Sequence, residues 1–264
     1  MQQMPFPPQA PQLPPDPQLG HVVAEWRAGL RRRVWTSIVV LISGGLIVLA
    51  CFANDNAVLG GIFAVLTLFF VSLICVQQAA VKVVTFTNGI ERRGLFGRKR
   101  LAWDQLQSYT LNVVDPAQTS AGAGVLVMLL VRAFTSKSQK PTTVVLNGRD
   151  GSKVTIPNYL KGFDSLIDSL LPYLVERLLS AAQYDLNRGV PVSFGARLVF
   201  DPGGNLTYTG LLKKQYVLPF ANIASIQLER ALVVVTQRDT GKSWQRIHVR
   251  TVPNLGVLQR LIAR

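Results

Sequence analysis

Cysteine and histidine are nearly absent from this chain, with two of each in 264 residues. Cys51 and Cys75 lie in different apolar runs. If those runs pair as antiparallel helices, the two thiols stand on the order of 20 Å apart, beyond the reach of a disulfide. They read as small apolar fillers. His21 and His248 are far apart, and neither has a metal-ligand spacing around it. Also missing are a phosphate-binding glycine loop, a paired-carboxylate arrangement and a nucleophile elbow. Gly122-Ala123-Gly124 is glycine-rich but lacks the Lys-Ser/Thr that would hold a nucleotide. The expectation is a protein with no catalytic residues, no metal and no cofactor, and hence not an enzyme.

Charge is scarce, at 16% of residues, and it is wholly missing from Val34 to Ala53 and from Ala57 to Val81. Twenty helical residues span about 30 Å, the thickness of a bilayer core. The two runs therefore read as a transmembrane helical hairpin. Asn54-Asp55-Asn56 forms its turn, which keeps Asp55 in water. Gly44-Gly45 and Gly60-Gly61 would let the two helix backbones approach closely. The apolar stretch is too long for a signal peptide, and Val48-Leu49-Ala50-Cys51 fits a lipoprotein cleavage box poorly. Arg31, Arg32 and Arg33 flank the first run and Lys82 the second, while the connecting turn has no Lys or Arg. The positive-inside rule then predicts a multi-pass cell-membrane protein, integral to the lipid bilayer, with both termini cytoplasmic.

Acidic residues are few, 14 against 28 Lys and Arg, for a net charge of +14 and a pI near 10.4. The excess is concentrated in residues 82–161, net +8, and 190–264, net +7. Basic surfaces of this kind attract anionic lipid head groups, by about 1 kcal/mol per nearby Lys or Arg. Binding to nucleic acid is disfavoured, because the aromatics do not interleave with cations as a stacking platform requires. Seven prolines crowd the first twenty residues. Residues 1–33 read as a disordered Pro-rich tail and basic flank, in which Pro7-Pro8 and Pro14-Pro15 could dock an aromatic groove of a protein partner.

Beyond the hairpin the hydrophobic period shortens to that of strands. Turn signals stand at Asn88-Gly89, Gly94-Leu95-Phe96-Gly97 and Asn147 to Gly151, and strands are predicted around them. Val125 to Val131 is a short apolar run that reads as a buried strand. A helix follows Pro157-Asn158 with the stripe Phe163, Leu166, Ile167, Leu170 and Leu171; Pro172 should kink or restart it, and Gly189 should stop it. A second portion repeats this plan from Gly195 to a short C-terminal helix. Trp103-Asp104-Gln105-Leu106 matches Phe220-Ala221-Asn222-Ile223, and Ile156-Pro157-Asn158 matches Val252-Pro253-Asn254. The predicted organisation is a tail (1–33), a transmembrane hairpin (34–53 and 57–81), a first β domain with a long C-terminal helix (82–188) and a second, smaller one (189–264). Trp103 and Phe220 should both be core residues.

Antiparallel strands closed by a helix resemble the pleckstrin-homology-like fold, including bacterial domains of that kind. The region 80–264 is also similar to an uncharacterised bacterial family, domain of unknown function 6585. That likeness rests on Val192-Ser193-Phe194-Gly195, Leu218-Pro219-Phe220, Val252-Pro253-Asn254-Leu255, Trp103-Asp104 and Asp150-Gly151. The fold class expected is α+β: a two-helix transmembrane hairpin, then two pleckstrin-homology-like antiparallel β domains, each closed by a C-terminal helix. The function expected is a membrane-anchored, cytoplasm-facing binding or scaffold protein. The alternatives are an accessory subunit of a membrane complex and a basic nucleic-acid-binding membrane protein. The candidate lipid-binding residues are Arg92, Arg93, Arg98, Lys99 and Arg100, which surround Leu95-Phe96 at a hairpin tip. In pleckstrin-homology domains an early strand hairpin often binds phosphorylated head groups. The tip could meet the lipid interface, or Leu95 and Phe96 could pack inward.

Overall fold

The computed structural model describes residues 18–29, 57–95, 97–113, 141–210 and 212–263, with positions 38, 41–42, 44–46, 48–49, 51 and 53 in the first apolar run. The expected strand at Val125–Val131 lies outside the described residues. So do Arg31, Arg32, Arg33 and the Pro-rich tail. The described chain is mostly strands in four antiparallel sheets, with a few helices. It divides into two compact units, one holding residues 6–104 and 159–165, the other 105–158 and 166–264.

The first unit is built on a four-stranded meander: β1 (Val22–Arg27), β2 (Lys82–Phe86), β3 (Gly89–Gly94) and β4 (Gly97–Ala102). Val83, Ile90 and Leu101 are buried on one face, and Leu19, Val84 and Phe86 form an apolar cluster on the other. β1 was not foreseen: the stretch predicted to be unstructured flank alternates as a strand and pairs along β2, Arg27 opposite Lys82. It is secured beyond its end as well. Gly29 N donates to Tyr159 O and Lys161 N to Arg27 O, and the Trp26 ring lies against Gly162.

Helix α1 (Ala57–Ala80) lies between β1 and β2 in the chain. The described residues of the preceding run are helical, and a Cβ at Gly44 would overlap the Thr67 side chain, so this helical segment meets α1 closely there. The transmembrane hairpin is nevertheless overturned: among the described residues no helix is long and apolar enough to cross a membrane. The flank is also not free to serve as a membrane boundary. Lys82 is a strand residue whose ammonium is bonded to Glu25, 3.3 Å away. The expected fold class therefore gives way to four antiparallel sheets with a few helices. The multi-pass membrane location with cytoplasmic termini falls with the hairpin.

The second unit contains a three-stranded meander, β5 (Leu106–Asn112), β6 (Thr143–Gly148) and β7 (Lys153–Pro157), and helix α2 (Phe163–Asn187) from Leu166 onward. Leu166, Ile167, Leu170, Leu174, Leu178 and Ala182 form the buried stripe of α2. Pro172 sits exposed inside a continuous helix, so the expected restart does not occur; the stripe holds the helix together across the missing bond. Gly189, at φ 78°, ends it as expected. Then come β8 (Val192–Ser193), β9 (Leu198–Phe200), β10 (Asn205–Thr209) and β11 (Gln215–Pro219) in one sheet. β12 (Ile223–Glu229), β13 (Leu232–Gln237) and β14 (Ser243–His248) form another, and α3 (Leu255–Ile262) closes the chain.

Among the described residues, with α1 set aside between β1 and β2, the order four strands, a 3-10 turn, three strands, a helix occurs twice, the second time with a further 3-10 turn (Val249–Thr251) before the helix. The repeated turns are Trp103–Gln105 and Phe220–Asn222, the two segments matched in the sequence. Trp103 is buried as expected, whereas Phe220 is only half-buried.

Candidate anion-binding face

The register of the first sheet decides which cations can act together. Residues directly opposite one another on antiparallel strands share a face. One row across the sheet reads Arg27, Lys82, Arg93, Arg98. With strands about 4.8 Å apart it extends roughly 14 Å. The neighbouring row on the same face reads Glu25, Val84, Glu91, Arg100. Arg92 and Lys99 pair across the same hairpin but face the opposite way. The five candidate residues are therefore one hairpin but not one patch. The structure keeps Arg93, Arg98 and Arg100 together, adds Arg27 and Lys82, and places Arg92 and Lys99 on the other face.

Two carboxylates organise the row. Glu91 is fully buried and accepts from Arg93 Nε and, at 3.0 Å, from Arg100 Nε. A buried carboxylate is stable only when paired and hydrogen-bonded, so Glu91 fixes both guanidinium stems. Glu25 accepts from Arg27 Nε at 2.8 Å and from Lys82 Nζ at 3.3 Å. Burial pushes the Glu25 carboxyl up, but the hydrogen bonds from Arg27 and Lys82 outweigh it and hold it below the usual carboxylate range. Arg98 is exposed and makes no ion pair among the described residues; the same holds for Lys99. The face carries five cations against two carboxylates, an arrangement suited to an anion and offering no acid–base pair.

Leu95 is 47% exposed at the tip, so it does not pack inward; Phe96 lies outside the described residues. β1 also changes the place of this hairpin in the sheet. It joins the third and fourth strands, not the first two, which moves it away from the early hairpin suggested by the pleckstrin-homology likeness. Sequence reasoning missed Glu25 and Arg27. The alternation Ala24, Glu25, Trp26, Arg27 beside Val22-Val23 was the available signal, hidden by the arginines that follow it.

The fold and this face define a β-rich protein of four antiparallel sheets with a cation-lined surface. The chain belongs to a family of unknown function, DUF6585, whose model matches residues 3–264. No curated protein and no solved structure matches it.

Proposed function

We propose that the protein is a non-catalytic binding module of two pleckstrin-homology-like repeats that engages anionic lipid head groups through the face of β1–β4. The observation that carries this is the row Arg27, Lys82, Arg93, Arg98. Like charges directly opposite on neighbouring strands destabilise a sheet. Two of the contacts are offset by Glu25 and Glu91, but Arg98 is left with its charge uncompensated in the described structure. A bound phosphate would supply the missing counter-charge and suit the planar guanidinium donors.

The test uses Arg98→Gln, which leaves both Glu91 pairs intact, beside Lys99→Gln on the opposite face as a control. The parent protein should sediment with vesicles containing phosphatidylserine and release as salt rises. Arg98→Gln should bind about fivefold more weakly, and Lys99→Gln should bind like the parent. Equal binding to neutral vesicles, or an unchanged Arg98→Gln, would remove the reading.

A second reading, an accessory subunit of a protein assembly, is favoured by α1, which leaves Val58, Val65, Leu68 and Phe69 exposed. Purification from the native source would then yield a stoichiometric partner, and a chain that always isolates alone would count against it.

A further inference from the structure

The hairpin of β10 and β11 occupies the same place in the second repeat as β3 and β4 in the first, immediately before the 3-10 turn. Their turns differ in length, two residues between the paired Gly94 and Gly97 against five between the paired Thr209 and Gln215, but their sequences are similar. Gly94-Leu95-Phe96-Gly97-Arg98-Lys99 in the first stands against Gly210-Leu211-Leu212-Lys213-Lys214 in the second. In sequence each begins with glycine, has two apolar residues and runs into cations.

Three observations mark the second tip as more than a connection. Leu212 is 93% exposed, which leaves nearly its whole side chain in water. Lys213 holds φ 59°, a left-handed conformation strained for any residue with a Cβ, where the corresponding Gly97 sits at φ 125° without penalty. The turn is held shut by Gly210 N to Lys214 O at 2.8 Å and Lys213 N to Gly210 O at 3.1 Å, so Leu212 is displayed by a closed loop. Behind it Lys214 Nζ lies 5.4 Å from the Tyr216 ring centroid, and Tyr216 and Val217 are exposed. An apolar side chain flanked by two lysines matches the boundary between acyl chains and anionic head groups. A nucleic acid would engage the lysines but offer Leu212 nothing in return.

We propose that Leu212, Lys213 and Lys214 form a second contact for an anionic lipid surface, the counterpart in the second repeat of the β3–β4 tip. This rests on the binding reading above and assigns it a second, separable site. The contact is peripheral: one leucine enters the interface and two ammonium groups meet phosphates.

The experiment uses the full chain, with vesicles of phosphatidylcholine alone or mixed with phosphatidylserine. Lys213→Gly removes a charge and relieves the backbone, so its melting temperature should equal or exceed the parent's while binding to anionic vesicles weakens about fivefold. Leu212→Ser should also weaken binding, and this loss should persist as salt is raised, because it is not electrostatic. If both variants bind like the parent while Arg98→Gln loses binding, the second tip is not a contact and the first face stands alone. If the parent itself ignores anionic vesicles, both proposals fall.

Discussion

Glu91 is the residue on which the first sheet's charge arrangement turns. Its carboxylate is fully buried, and both of its ion-pair partners among the described residues are arginines. Removing both partners would leave an uncompensated buried charge, which typically costs 3–5 kcal/mol. Arg93→Ala with Arg100→Ala should therefore lower the denaturant midpoint sharply, with a loss on the order of 3–5 kcal/mol. Restoring neutrality by adding Glu91→Gln should recover part of it. Equal stability of the double variant and the parent would show that Glu91 does not depend on these two arginines. The cations were legible in the sequence because a run of them around a turn stands out. Their division between faces was not, because it depends on strand register, and one residue of slip exchanges the faces. The unforeseen pair Glu25 and Arg27 shows the same limit: their partner Lys82 is more than fifty positions away in the chain.

Within the second unit, strand β5 and the approach to α3 are joined through two side chains, Tyr109 and Asn254. Tyr109 N donates to Asn254 Oδ1, Asn254 N donates back to Tyr109 O, and Gly256 N donates to the Tyr109 hydroxyl, each at 2.8 Å. Asn254 holds φ 55° to make this turn, and a Cβ at Gly256 would stand 2.7 Å from the phenol oxygen. Burial pushes the Tyr109 hydroxyl up to about 12, although the Gly256 bond pulls the other way. The folded state thus favours the neutral phenol. That contribution is complete below the ordinary tyrosine value near 10 and is lost as pH rises through about 12. Absorbance titration of phenolate should show one tyrosine ionising late, together with loss of structure. In Tyr109→Phe that late step should vanish, at a cost of about 1 kcal/mol for the missing acceptor. A titration in which all tyrosines ionise together near 10 would contradict the buried clasp. Elements of this kind were largely readable. The turns at Asn88-Gly89 and Asn147–Gly151 stand where glycine and asparagine put them, and the helix that follows Pro157-Asn158 ends at Gly189 as its sequence signals. The clasp was not readable, because it joins residues 145 positions apart in the chain.

At the scale of the whole chain the repeated order of elements is plain, and its two halves are not equally built. Trp103 is 2% exposed, whereas Phe220 at the matching turn is half-buried. Trp103→Ala should cost about 3–5 kcal/mol, and Phe220→Ala roughly half of that. Matched thermal melts would test the asymmetry, and equal losses would mean the two turns are packed alike. The apolar runs at 34–53 and 57–81 misled for a simple physical reason. A lack of charge marks side chains that gain nothing from water, but not what they lie against, and on α1 Val58, Val65, Leu68 and Phe69 are exposed. The strand before them, too short to announce itself, is what ties that region into a β-sheet. Because Arg27 faces Lys82 across neighbouring strands, the chain departs and returns at points only about 5 Å apart. The stretch beyond Gly29, whose N–H is bonded to Tyr159 O, is therefore a removable cassette. Replacing it with a tight turn would shorten the loop closed by β1–β2 pairing from roughly fifty residues to a few, and relieve about 2 kcal/mol of chain entropy. For evolution, the same geometry makes this the place where sequence can be gained or lost without disturbing a single rung of the ladder.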